Sequence, residues 1–153
     1  MPAVHDSFTL VRTFPYPRER VFAALSDPKR KQRWYADITM EAELFESDFR
    51  VGGIDHQRYV LRENSPFPGV VLENEGRFED IADGERIVLT TSMAFGGRRI
   101  STSLLTFALS DEVGGCVLTF THQAVFYDGA DGPDMRRAGW DRILDTLARS
   151  LAS

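Results

Sequence analysis

The sequence predicts an α+β fold in which a curved antiparallel sheet lies against one long C-terminal helix. Two observations support this prediction. The middle of the chain contains strand-like segments separated by Asp-Gly and Gly-Gly dipeptides, which favour tight turns between antiparallel strands. Between Trp140 and Leu151, apolar residues recur with helical spacing. A helix with such a stripe needs a large apolar surface, and the sheet is the surface of that size that the sequence offers.

The first predicted elements are a strand and two short helices. Residues 7–14 alternate between apolar and polar side chains, which indicates a strand, although Arg12 interrupts its apolar face. Pro17 suits the start of a first helix, and Asp27 is a typical N-cap for a second one over residues 28–34. The basic residues of the second helix are expected to form a solvated outer surface: Lys29, Arg30, Lys31 and Arg33.

The remaining segments predict the sheet and the last helix. Residues 38–48 are acidic and weakly patterned, which is typical of a loop or an edge strand. Four later strands with short turns would form an antiparallel meander. Asp134 is expected to cap the last helix. The predicted strands cover residues 56–62, 70–81, 86–93, 98–109 and 116–125, and the last helix covers residues 135–151.

Size, composition and charge restrict the class of protein. The chain has 153 residues, which suits one domain over residues 1–153 with its own core. Its net charge is −5, so bulk charge gives no drive toward nucleic acid or an anionic membrane. Cys116 is the one cysteine, which excludes an internal disulfide and suits a reducing cytoplasm. The apolar runs are too short for a membrane span, and the N-terminus lacks the apolar region of a secretory signal.

The candidate chemical groups are few. The sequence has no nucleotide-binding, nucleophile-elbow or metal-ligand motif, so we expect no metal and no cofactor. His122 ends a predicted strand in phase with Phe120, and it could shuttle a proton at the rim of a cavity, or it could be a hydrogen-bonded structural histidine. His56 and Arg58 share one strand face, and they could bind a carboxylate or phenolate, or they could lie on a wet surface.

Segments spread over nearly the whole chain resemble a known family. They are residues 8–14, residues 21–25 with Asp27-Pro28, the Val51-Gly52-Gly53 turn, and Gly139-Trp140 in the last helix. Their types and order resemble the Hsp90-ATPase-activator-homologue-like family of the START-like (Bet v 1-like) superfamily. The resemblance implies a helix-grip fold, with about six or seven strands curved around the C-terminal helix and a mostly apolar cavity between them. It implies no single activity, because relatives bind lipids, hormones or polyketides, cyclise them, or help to activate a chaperone ATPase.

Three functional hypotheses follow. The first is a cytoplasmic, non-enzymatic protein that binds a small hydrophobic or aromatic ligand in the cavity. The second is a cyclase-like or dehydratase-like enzyme that acts on a polyketide or aromatic substrate, with His122 as its acid or base. The third is a modulator of an Hsp90-type chaperone, although the domain begins within the first ten residues and the extra N-terminal domain of eukaryotic activators is not expected.

The cavity hypothesis assigns roles to individual side chains. Aromatic and aliphatic residues are expected to form its walls, and His56, Arg58 and His122 are expected to be its polar anchors. A homodimer through an exposed edge strand is compatible with the pattern, but no residue selects it. The expected ligand-binding residues are Trp34, His56, Arg58, Phe95, Phe107, Phe120, His122, Trp140 and Leu144.

Overall fold

The order of the elements agrees with the predicted α+β, helix-grip fold. The computed structural model describes residues 2–36 and 38–153. Within these residues the elements are β1 (Val4–Phe14), α1 (Arg18–Ser26), α2 (Pro28–Gln32), β2 (Met40–Ser47), β3 (Ile54–Leu61), β4 (Val71–Ala82), β5 (Arg86–Phe95), β6 (Arg98–Glu112), β7 (Gly115–Phe126) and α3 (Pro133–Ala152). No helix in this part of the chain is long and apolar enough to cross a membrane.

The described strands form one antiparallel sheet in the order β1-β7-β6-β5-β4-β3-β2. From β2 to β7 each strand pairs with the next, which confirms the predicted meander. The acidic segment that could be a loop or an edge is β2, an edge strand. β1 pairs with β7 along its whole length, from Val4 opposite Phe126 to Phe14 opposite Cys116, and forms the other edge of the sheet.

The apolar core lies between one face of the sheet, α1 and α3. Alternation along β1 and β7 places Phe8, Leu118 and Phe120 on this face, and all three are buried. Arg12, which interrupts the apolar face of β1, is half-buried and reaches α3. Its guanidinium lies 2.8 Å from Asp141 Oδ1 and 2.6 Å from Asp145 Oδ1. It therefore balances two like charges that face each other one helical turn apart on α3.

The last helix begins earlier than its expected cap. α3 begins at Pro133, and Gly132 is its N-cap with a φ of 87°. The prediction that Asp134 is the cap is therefore wrong. Proline suits the first helical position because its φ is fixed and it needs no partner for a backbone N–H, so the helix can begin at Pro133. Asp134 lies in the first turn, where its charge is favourable to the helix dipole.

The basic surface predicted for α2 is wrong at Lys31. Asp27 caps α2 as expected, but the Lys31 side chain is only 3% exposed. Its Nζ lies 2.9 Å from Asp55 Oδ1 on β3, and it lies 4.4 Å from the centre of the Tyr35 ring. The helical period turns Lys31 inward because α2 packs against the sheet, and the carboxylate of Asp55 compensates the buried charge.

Candidate ligand-binding site

A cavity of about 230 Å³ lies between the concave face of the sheet and the first half of α3. From the helix, Met135, Gly139 and Ile143 face it at intervals of four residues, which is one face of a helix. From the sheet, every second residue of a strand faces it. The apolar and aromatic lining from the sheet consists of Met40, Tyr59, Leu72, Met93, Phe95, Ile100 and Leu105.

Gly139 leaves part of this space open. It lies inside α3 rather than at a turn, and a Cβ atom built there would meet its nearest neighbour, Arg142 Nη2, at 3.8 Å. That distance is ordinary van der Waals contact, so the packing of the backbone does not require glycine at this position. Glycine inside a helix reduces stability by about 0.5–1 kcal/mol relative to alanine. The lack of a side chain at Gly139 therefore enlarges the cavity and reduces the stability of the helix.

His122 is a buried titratable residue that lines the cavity. It is 1% exposed, and its ring stacks on Phe8 with 4.7 Å between ring centres and 11° between the planes. Burial, helped by the positive charge of Arg136, lowers its pKa from 6.5 to about 4. The imidazole is therefore uncharged near pH 7, where it can donate one hydrogen bond and accept another.

An ion pair with a buried arginine, which is not among the predicted site residues, also lines the cavity. Arg136 is 5% exposed, and its Nε and Nη2 donate to the two carboxylate oxygens of Asp131, both at 2.8 Å. Nη2 also donates to Ser101 Oγ at 3.0 Å. This bidentate pair connects the β7–α3 loop to the helix. The apolar stripe of α3 indicates that Arg136 is buried, since it lies four residues before Trp140 on the same face of the helix.

Three uncharged polar residues of the sheet also line the cavity. Asn74, Thr91 and Ser103 lie on the neighbouring strands β4, β5 and β6. Asn74 Oδ1 is buried and has no hydrogen-bond partner among the described residues, and the same holds for both amide atoms of Gln57, directly opposite on β3. Buried polar atoms in proteins are nearly always paired. Water or a polar group of a ligand can provide the missing hydrogen bonds.

The predicted wall residues divide between the cavity and the core. Phe95 and Trp140 line the cavity, as does His122. Phe107, Phe120 and Leu144 are buried in the core instead. Phe120 is fully buried, and its ring centre lies 4.3 Å from that of Trp140, so these residues support the wall rather than form it.

Trp34 is also a core residue. It is 1% exposed, and its indole N–H donates to the carbonyl oxygen of Ala24 at 2.8 Å. Its ring packs edge-on against Tyr35, with ring centres 5.2 Å apart. Tyr35 lines the cavity, so Trp34 acts on the cavity through its neighbour.

His56 and Arg58 lie outside the cavity, so the expectation that they anchor its ligand is corrected. The buried residues of β3 are Asp55, Gln57, Tyr59 and Leu61, and alternation turns His56 and Arg58 to the opposite face. There His56 Nε2 and Arg58 Nη2 lie 2.6 and 3.2 Å from the same oxygen, Glu73 Oε2. The hydrogen bond with His56, and secondly the charge of Arg58, lower the pKa of Glu73.

Glu75 lies beside His56 and Glu73, and the three residues form a cluster of potential metal ligands. One ligand atom each of His56, Glu73 and Glu75 lies within 4.8 Å of the others. Arg58 Nη2 lies 3.2 Å from Glu73 Oε2. Its positive charge therefore offsets part of the negative charge of the cluster.

The chain is similar to one known protein family and to solved structures with the same fold. The model of the family described as "Activator of Hsp90 ATPase homolog 1-like protein" matches residues 15–152. No curated protein matches the chain significantly.

Solved structures of similar bacterial proteins cover almost the whole chain. A structure of an uncharacterized protein from Rhizobium leguminosarum is 32% identical, with a TM-score of 0.90, and the alignment covers 99% of this chain and 97% of that one. A protein from Rhizobium loti is 35% identical, with a TM-score of 0.85 and coverage of 98% and 99%. A protein from Chromobacterium violaceum is 25% identical, with a TM-score of 0.82 and coverage of 96% and 97%.

Proposed function

The chain belongs to the Activator of Hsp90 ATPase homolog 1-like family, and on that premise we propose that it binds a small apolar or aromatic molecule between the sheet and α3. The observation that supports this proposal is the cavity of about 230 Å³ with a largely aliphatic and aromatic lining. A cavity with apolar walls and a few convergent polar groups is the usual form of a small-molecule site.

The aromatic walls favour a flat ligand. Trp140 and Phe95 line the space, and Tyr35 faces it from the residues that follow α2. Rings of this kind pack against a planar molecule in offset or edge-on geometry, which adds to the gain from burying apolar area.

The test uses N-phenyl-1-naphthylamine, an uncharged aromatic dye that fluoresces strongly in apolar surroundings. We expect its fluorescence to rise and shift to the blue when the protein is added. Gly139→Leu places a side chain in the cavity and should weaken dye binding by about tenfold or more, a free-energy change of about 1.4 kcal/mol. It should not unfold the protein, because leucine is a better helix former than glycine.

Ala138→Leu is the matched control. It adds the same side chain to the neighbouring position of α3, where Ala138 is exposed and does not line the cavity. This variant should bind the dye like the natural protein. The proposal is wrong if the natural protein leaves the dye unchanged, or if the Gly139→Leu and Ala138→Leu variants bind it equally well.

A second candidate function is base catalysis at His122. The supporting observation is that this imidazole lines the cavity and is unprotonated near pH 7, because burial lowers its pKa to about 4. The same shift makes it a weaker base than an ordinary histidine, so any acceleration must come mainly from its position beside the substrate. A suitable probe is 2-tetralone, a bicyclic ketone with acidic C–H bonds next to its carbonyl. If His122 is a base, the protein will accelerate exchange of these hydrogens in D2O, followed by NMR, and His122→Gln will abolish the acceleration. Exchange at the buffer rate would remove this candidate.

A further inference from the structure

Three charged side chains line the cavity, those of Asp131, Arg136 and Arg142, and the first two form an ion pair at the end where α3 begins. His122, which also lines the cavity, is uncharged near pH 7. Arg142 is exposed on α3, so solvent screens its charge. Arg136 is the buried cation of the lining. Whether its guanidinium is already paired with a carboxylate decides whether this end attracts an anion.

The carboxylate of Asp131 occupies the side of Arg136 that binds anions best. An arginine binds a carboxylate most strongly through two parallel N–H groups, and Asp131 already accepts from Nε and Nη2 at 2.8 Å. A ligand carboxylate would have to displace it or lie beside its negative charge. Burial of an anion without a counter-charge is costly, so this end disfavours an acidic ligand.

An uncharged polar group of a ligand, unlike a carboxylate, is not repelled by Asp131. The hydroxyls of Thr91 and Ser103 can donate and accept, and Asn74 Oδ1 is buried without a partner among the described residues. A ligand hydroxyl can donate to Asn74 Oδ1, and a ligand carbonyl can accept from the hydroxyl of Thr91 or Ser103, in each case without introducing charge. Filling an unpaired buried acceptor recovers the cost of its desolvation.

We propose that Asp131 sets the charge selectivity of the cavity: by holding Arg136, it restricts the site to ligands whose polar group is an uncharged hydroxyl or carbonyl. This inference rests on the proposed function, because it concerns a ligand of the same cavity. Asp131 is a specificity residue here, and its removal should convert the site to one that accepts carboxylates.

The test compares three molecules of similar shape: naphthalene, 2-naphthol and 2-naphthoate. Near pH 7 the first has no polar group, the second has an uncharged hydroxyl, and the third has a carboxylate. Their affinities are measured by displacement of N-phenyl-1-naphthylamine. We expect the natural protein to bind 2-naphthol about tenfold more tightly than 2-naphthoate, with naphthalene weaker than 2-naphthol.

Asp131→Asn should strengthen 2-naphthoate binding by about tenfold, because it frees the Arg136 guanidinium and removes the competing charge. Asp128→Asn is the matched control: it removes the same charge from the same loop at an exposed position that does not line the cavity, and it should leave the preference unchanged.

The outcomes separate the two proposals. Equal binding of 2-naphthol and 2-naphthoate by the natural protein overturns the charge selectivity and leaves the binding function intact. A folded Asp131→Asn variant with unchanged preference overturns the role of Asp131. If none of the three molecules displaces the dye, or the dye itself does not bind, the proposed function fails and this inference fails with it. The comparison on the natural protein decides the charge selectivity even if the variant does not fold.

Discussion

The two halves of α3 face the same sheet with different side chains. In the second half, Leu144 and Leu147 are fully buried and Leu151 is 5% exposed, and they pack in the same core as Val21 and Leu118. In the first half, Arg136, Gly139 and Trp140 face the sheet across the cavity. A branched aliphatic side chain at every turn closes the interface, whereas a glycine and an arginine leave space and charge in it. One helix therefore provides both the stable part of the fold and its candidate site.

The largest difference is expected from shortening one side chain of α3 in the core and one beside the cavity. Leu147→Ala should reduce the free energy of unfolding by about 3 kcal/mol, because it leaves a void in a closely packed core. Ile143→Ala, which shortens a half-buried side chain beside the cavity, should cost about 1 kcal/mol. Urea unfolding of both variants measures the difference. Equal costs would mean that α3 is packed as closely beside the cavity as it is in the core.

The next prediction concerns pH, because the cavity beside the first half of α3 is lined by the titratable side chain of His122. In the unfolded chain His122 binds a proton near pH 6.5, but in the folded protein it binds one only near pH 4. Between these values the unfolded state binds more protons, so stability falls as the pH decreases from 6.5 to 4. The contribution of this histidine is about 3 kcal/mol at most.

Comparison with His122→Gln isolates that contribution from the carboxylates. The variant should lose less stability than the natural protein between pH 6.5 and pH 4, whereas Leu147→Ala should lose as much as the natural protein. Thermal unfolding across this pH range measures both. Parallel curves for the natural protein and His122→Gln would show that the histidine does not titrate as described.

The smallest expected change in the free energy of unfolding concerns Gly139, in the first half of α3. Gly139→Ala should raise the free energy of unfolding by about 0.5–1 kcal/mol, because alanine has the higher helix propensity and its Cβ has room here. Ala138→Gly, at the exposed neighbouring position, should lower it by a similar amount. If Gly139→Ala were destabilising, close packing rather than ligand space would explain the glycine.

Local patterns predicted most of the fold. Alternation indicated the strand that became β1, the Asp-Gly and Gly-Gly turns defined the hairpins of the meander, and Asp27 with Pro28 located the start of α2. The end positions were less accurate, as α3 shows by beginning at Pro133. These features depend on residues only a few positions apart, so the sequence specifies them directly.

The candidate site was predicted only in part. Phe95, His122 and Trp140 line the cavity as proposed, but His56 and Arg58 face the other side of the sheet. Their spacing of two placed them correctly on one face of β3 without indicating which face. That choice depends on the sheet and helices together, because burial of Tyr59 and Leu61 on the concave side fixes the orientation of the strand.

The order of the elements, the turns between them and the apolar stripe of α3 can be read from the chain alone, because they follow from short-range spacing and backbone preference. The tertiary structure decided which charges are buried and paired. Lys31 meets Asp55 24 positions away, and Arg136 meets Ser101 35 positions away. It also decided where the sheet and α3 leave space, since the gap between a curved sheet and a helix depends on the register of all the strands that line it. Side chains distant in sequence therefore meet around a cavity that no local pattern describes.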